Sequence, residues 1–194
     1  MEKYQNKYRI QFARLQGYDY TQEGLYFITI CTHNREHYFG EIIDKKMQLS
    51  NIGVLADVFW YEIKNHTKNV ELHQFVVMPN HVHGVLEIVG KRDDVSDDTN
   101  VDTDVDTSVE TMHVVETMHA SSLQQISPKP GSVSRIIGAY KSAVTKHAHR
   151  LGYDFEWQSR FYDHIIRNNS DFKRIENYII NNPQNWTEDK FYKE

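Results

Sequence analysis

The chain has 194 residues, of which 39% are apolar, and its 22 Lys and Arg against 27 Asp and Glu leave a formal net charge of −5. That length suits one domain with a sizeable core, and no apolar run is long enough to span a membrane. The single cysteine, Cys31, excludes an intramolecular disulfide and a four-thiolate zinc site.

The first residues, MEKYQNKYRIQFARLQGYDY, are polar and lack the apolar core of a signal peptide, so a cytoplasmic location is expected. They mix Lys7, Arg9 and Arg14 with Tyr18 and Tyr20, a pattern that serves a nucleic-acid surface or an ordinary aromatic cluster equally well. The run from Gly24 to Thr32 is β-branched and aromatic, and reads as a core strand. From Ser50 to Asn65, Ile52, Leu55, Val58, Phe59 and Ile63 fall at helical spacing behind Ser50 as N-cap. Two strands follow, Val70–Val77 and Val82–Val89, joined by a tight connection around Met78-Pro79-Asn80.

Between Asp93 and Ala120 stand nine acidic residues and no Lys or Arg, in a sequence that repeats VDT and VETMH. This reads as a flexible acidic low-complexity insertion, at about 91–128, within one domain spanning 1–194. Without those nine, 22 basic residues face 18 acidic ones, a net of +4. The remainder is therefore mildly basic, which permits a phosphate-binding groove without demanding one.

Beyond the insertion, Ser132–Arg150 reads as a helix with Val133, Ile136, Ile137, Tyr140 and Val144 on its apolar face. Phe161–Ile166 reads as a short strand, and Ser170–Asn182 as a helix capped by Ser170 and stopped by Pro183. The order β-α-β-β-α-β-α predicts an α+β fold. It is a ferredoxin-like βαββαβ antiparallel sheet with helices on one face and an appended C-terminal helix. No function follows from that fold alone.

The sharpest chemical feature is Asn80-His81-Val82-His83-Gly84. Residues two apart on a strand point to one side, so His81 and His83 would present adjacent imidazoles, half of a metal site. The same spacing also fits two histidines on a solvated sheet face. Gly84 is expected to let a ligand backbone approach closely. Further ligands must come from elsewhere. The last helix offers Tyr178 and Asn182, four apart and on one face. A phenol beside a cation is a candidate nucleophile, although Tyr178 sits among Ile175, Ile179 and Ile180 and also fits core packing. Tyr140 is a rival on the same grounds. Arg135, Lys141, Lys146, Arg160 and Arg167 are the candidate phosphate contacts.

Taken together, FVVMPNHVHGVLEI, GLYFITICTHNR, GAYKSAVTK, WQSRFYDHIIRN and RIENYIINNPQNW resemble the REP-associated tyrosine transposases, relatives of the small single-tyrosine HUH transposases of bacterial insertion sequences. The resemblance runs through nearly the whole chain except the acidic insertion. It implies that His81 and His83 are the two histidines of the HUH motif, that Tyr178 rather than Tyr140 is the nucleophile, and that Asn182 completes the metal site, with Asn181 as fallback. It also implies a DNA transposase and endonuclease that uses Mg²⁺ or Mn²⁺. Such an enzyme nicks and rejoins single-stranded hairpin DNA through a 5′-phosphotyrosine, with sequence-specific DNA binding, as a monomer or homodimer. Two alternatives are a domesticated transposase that only binds nucleic acid, and a metal-dependent hydrolase of small phosphoesters that forms no tyrosine adduct.

Overall fold

The structure is a computed structural model and describes residues 17–90 and 128–192, together with two short paired strands, β1 (Lys3–Tyr4) and β2 (Lys7–Tyr8). The chain divides into two units, Met1–Gly90 with Lys129–Glu194, and Lys91–Pro128. The first unit carries every element discussed below. Apart from Pro128, the acidic insertion lies outside the described residues.

Four strands form the main sheet: β3 (Gly24–Cys31), β6 (Val70–Met78), β7 (His81–Ile88) and β8 (Tyr162–Ile166). Their order is β6-β7-β3-β8, and every neighbouring pair is antiparallel. With α1 (Asn51–His66) between β3 and β6, and α2 (Val133–Arg150) between β7 and β8, this is the expected α+β, ferredoxin-like plan. The C-terminal helix α3 (Asn169–Asn181) follows β8.

Alternation along the strands separates two cores. Tyr26, Ile28 and Ile30 of β3 and Val82, Leu86 and Ile88 of β7 pack with α1 and α2. Phe27 of β3, Val85 of β7 and Ile166 of β8 pack with Ile175 and Ile179 of α3. The helices α1 and α2 thus cover one face, and the appended helix covers part of the other. Among the described residues no helix is long and apolar enough to cross a membrane.

Several local expectations need correction. The stripe of α1 that faces the core is Ile52, Ala56, Trp60 and Ile63, whereas Val58 is 47% exposed. Trp60 shifts the stripe, because its large ring is the side chain that fills the space against the sheet. Ser50 caps α1, as its side chain accepts from the Gly53 amide, and Ser132 caps α2 by accepting from Arg135. The cap of α3 is Asn168 rather than Ser170, with Oδ1 accepting from the Asp171 amide at 2.8 Å. Between β3 and α1 lies a hairpin that the sequence pattern did not predict, β4 (Gly40–Ile43) with β5 (Lys46–Leu49). Its two turn residues, Asp44 and Lys45, have φ of 50° and 62°. That backbone is usually announced by Asn-Gly or Asp-Gly, and neither occurs here.

Gly84 does not receive a ligand backbone. It lies on the α1 face of β7, and a Cβ there would meet the Trp60 ring at 2.2 Å. The glycine exists so that the indole can lie flat against the strand. Gly84→Ala should therefore destabilise the fold by about 1–3 kcal/mol through overpacking. Thermal melting of Gly84→Ala, of Trp60→Phe and of the double variant should show a cost well below the sum of the two single ones. Strict additivity would show that the two residues are not in contact.

Candidate metal and tyrosine centre

His81 and His83 stand on the face of β7 that turns away from α1 and α2. The register sets His81 opposite Cys31 and His83 opposite Thr29. Both imidazoles are fully buried, with ring centroids 4.4 Å apart. A solvated sheet face is thereby ruled out for them. Burial, with smaller contributions from the Lys190 and Arg35 charges, pushes His81 down to about 3. Burial, then the neighbouring His81, pushes His83 well below the ordinary histidine range. Both rings are therefore neutral, the form that binds a metal.

The tautomer of His81 follows from its neighbour. Asn80 Nδ2 donates to the carbonyls of Arg35 and Phe191, at 3.3 and 2.9 Å. That leaves Asn80 Oδ1 as the atom 2.8 Å from His81 Nδ1. A carbonyl oxygen only accepts, so Nδ1 carries the proton and Nε2 carries a lone pair. His81 Nε2 is buried and has no hydrogen-bond partner among the described residues. Thr29 Oγ1 lies 2.9 Å from His83 Nδ1 and holds the orientation of the second ring.

The C-terminal helix closes the site. Tyr178 Oη donates to Asp189 Oδ2 at 2.8 Å and lies 3.2 Å from His83 Nε2. Its ring is 37% exposed, so core packing does not account for it. Burial, then the Asp189 hydrogen bond and the Asp189 charge, push its pKa above the usual tyrosine range and so favour the protonated phenol. Asn182 is 2% exposed, keeps a helical backbone despite the following Pro183, and donates Nδ2 to Asp189 Oδ2 at 2.9 Å. Its Oδ1 is a second buried atom without a partner among the described residues.

Asp189 was not anticipated. A 3-10 turn over Pro183–Glu188, anchored by buried Trp186, brings the chain back over the histidines. Ligand atoms of His81, His83 and Asp189 all lie within 4.8 Å of one another. Two imidazole nitrogens, a carboxylate and an unpaired amide oxygen make a donor set that fits a divalent cation. Phe191 follows, with its ring 4.7 Å from His81 and Arg35 5.0 Å from the centre of that ring.

The other candidates lie apart from this centre. Tyr140 is 2% exposed on the α1 side, and its hydroxyl donates to Ala56 O at 2.9 Å, so it is a core residue. Asn181 points outward and donates to Asn177 O. Arg135 and Lys146 are exposed on α2, in the layer beyond the opposite sheet face. Lys141, also on α2, donates to the carbonyls of Gln158 and Ser159, and so braces a loop. Arg160 is exposed in the loop before β8. Arg167 lines a cleft of about 370 Å³ at the start of α3. Beside Tyr178 itself is a cleft of about 420 Å³ whose basic residues, Arg174 and Lys190, were not singled out from the sequence.

No family model matches the chain. A protein of Haemophilus influenzae described as uncharacterized is 34% identical over 180 residues, spanning 92% of this chain and 91% of that one. Among solved structures, a REP-associated tyrosine transposase bound to a REP hairpin superposes with a TM-score of 0.50 at 19% identity, covering 89% of this chain and 74% of that one. The chain belongs to one family with the Haemophilus influenzae protein, and its fold is that of the REP-associated tyrosine transposases.

Proposed function

We propose that this chain is a transposase, a metal-dependent endonuclease and strand transferase that nicks and rejoins single-stranded hairpin DNA through a 5′-phosphotyrosine on Tyr178. One observation carries the reading: a half-exposed phenol, hydrogen-bonded to a carboxylate, stands 3.2 Å from the second of two buried neutral imidazoles. A structural tyrosine has no need of those partners. The solved structure of similar fold, a REP-associated tyrosine transposase, is bound to a REP hairpin, which supports DNA as the partner.

His81, His83, Asp189 and Asn182 would hold the cation, Mg²⁺ or Mn²⁺, and when bound it offsets the charge that builds on the scissile phosphate. Asp189 extends the set expected from the sequence. Asn80 and Thr29 keep Nε2 of each imidazole directed into the site. Tyr178 Oη attacks phosphorus, its proton passes to Asp189 Oδ2, the bond from phosphorus to the 3′-oxygen breaks, and water protonates that oxygen. The products are a 5′-phosphotyrosine and a free 3′-hydroxyl. The phosphoester is conserved, so a second 3′-hydroxyl can reverse the step without ATP. Phe27, whose ring lies 6.3 Å from that of Tyr178 and edge-on to it, holds the phenol from the apolar side.

Tyr178→Phe should abolish covalent attachment of labelled hairpin DNA in denaturing gels while its affinity in anisotropy titrations changes less than about threefold, since only a hydroxyl is lost. Attachment by the variant would assign the nucleophile elsewhere. Chelation with EDTA should stop attachment by the unaltered protein, and added Mn²⁺ should restore it.

Asn80→Ala removes the acceptor that holds His81. Mn²⁺ affinity in isothermal titration should fall by about 10–100-fold. Unchanged affinity would mean that His81 is not a ligand.

A further inference from the structure

Along α3, Asp171, Arg174, Tyr178 and Asn182 follow at steps of three, four and four, so they share one helix face. The last two belong to the centre above. Of the first two, Asp171 ties the helix to the edge strand β8, and Arg174 pairs with Asp171. Asp171 Oδ2 accepts from His164 Nε2 at 2.8 Å, and Oδ1 accepts from Arg174 Nη2. His164 in turn lies across from Phe27 on β3, and Phe27 packs 5.2 Å from the His83 ring. The His164 hydrogen bond, with that of Arg174, holds the Asp171 carboxyl below the ordinary carboxylate range. The carboxylate is 19% exposed, and the guanidinium side chain that it anchors is 70% exposed.

Arg174 therefore does not serve to neutralise a buried charge. It is fixed at one end and open at the other. The open end faces the cleft that also contains His164, Tyr178 and Lys190. Tyr162, 45% exposed, lines the same cleft with Lys190 Nζ 5.9 Å from the centre of its ring. An exposed aromatic ring beside two cations, of which Arg174 is anchored, is the combination that holds a single strand, with a base on the ring and a phosphate on the cation. One helical turn, about 5.4 Å, separates Arg174 from Tyr178, a distance on the scale of one nucleotide step along an extended strand.

We infer that Arg174, held in place by Asp171 and His164, binds the phosphate adjoining the one that Tyr178 attacks, with Tyr162 as the stacking surface for the intervening base. This rests on the nicking function proposed above and adds the path of the strand. Arg174 is a binding residue, and Asp171 and His164 are positioning residues.

The test is an anisotropy titration of a fluorescein-labelled single-stranded DNA hairpin with an unpaired flank, repeated across a range of NaCl concentrations. Arg174→Gln should weaken binding and make the slope of log K against log salt shallower by about 0.7, the loss of one single-strand phosphate contact. Lys173→Gln, the same charge change one residue away, should leave the slope unaltered. Asp171→Ala removes a negative charge and on charge alone would tighten binding, whereas loss of the Arg174 anchor predicts weaker binding. Thermal melting confirms that each variant is folded. An unchanged slope for Arg174→Gln, an equal change for Lys173→Gln, or tighter binding by Asp171→Ala would overturn the inference. Covalent attachment is scored in parallel. Adducts with an unchanged Arg174→Gln slope leave Tyr178 as nucleophile and remove the subsite, whereas a shallower slope without adducts keeps the subsite and removes the nicking reaction.

Discussion

Because side chains alternate along a strand, β7 delivers Val82, Leu86 and Ile88 to one face of the sheet and His81, His83 and Val85 to the other. The first face is sealed by α1 and α2, with Trp60 lying over Gly84. That packing holds the register of β7 against β3 and β6. A slip of one residue would send the imidazoles into the aliphatic core and the valines toward Tyr178. The position of the histidines is thus secured by apolar contacts on the far side of the strand.

On the near face the same burial acts differently. It strips water from both imidazoles and keeps them uncharged. His81, with Nδ1 tied to Asn80, leaves Nε2 without a partner among the described residues, and His83, with Nδ1 beside Thr29, turns Nε2 toward Tyr178. Asp189 and Tyr178 face that opening, and the unpaired Oδ1 of Asn182 is buried at the same helix end. Among the described residues three buried side-chain atoms lack a hydrogen-bond partner, Trp60 Nε1 in the other core and His81 Nε2 and Asn182 Oδ1 here, and leaving the latter two unsatisfied would be costly in a fold with no use for them. Their presence points the same way as the hydroxyl of Tyr178.

Much of this was legible from residues alone, and the gaps have physical causes. The period of two in His81-Val82-His83 and the step of four from Tyr178 to Asn182 are local, so the faces they share could be read directly. The strand and helix order followed from composition and caps. Asp189 could not be found in that way, since its place depends on a turn after Pro183 that is anchored by Trp186. Gly84 was misread because Trp60, which needs the space, is far away in sequence. The cations of α2 lie off its apolar face, but the helix stands on the other side of the sheet from His81. Arg174 and Lys190 show up only once α3 is laid against β8.

On this reading Tyr178 and the two imidazoles form one reacting centre. Incubation of the protein with single-stranded hairpin DNA and Mn²⁺, followed by nuclease trimming and peptide mass mapping, tests it most directly. A nucleotide adduct on the peptide that contains Tyr178, absent when His83 is replaced by Ala, is the predicted result. An adduct on Tyr140 or another tyrosine, or one that persists without His83, would contradict it.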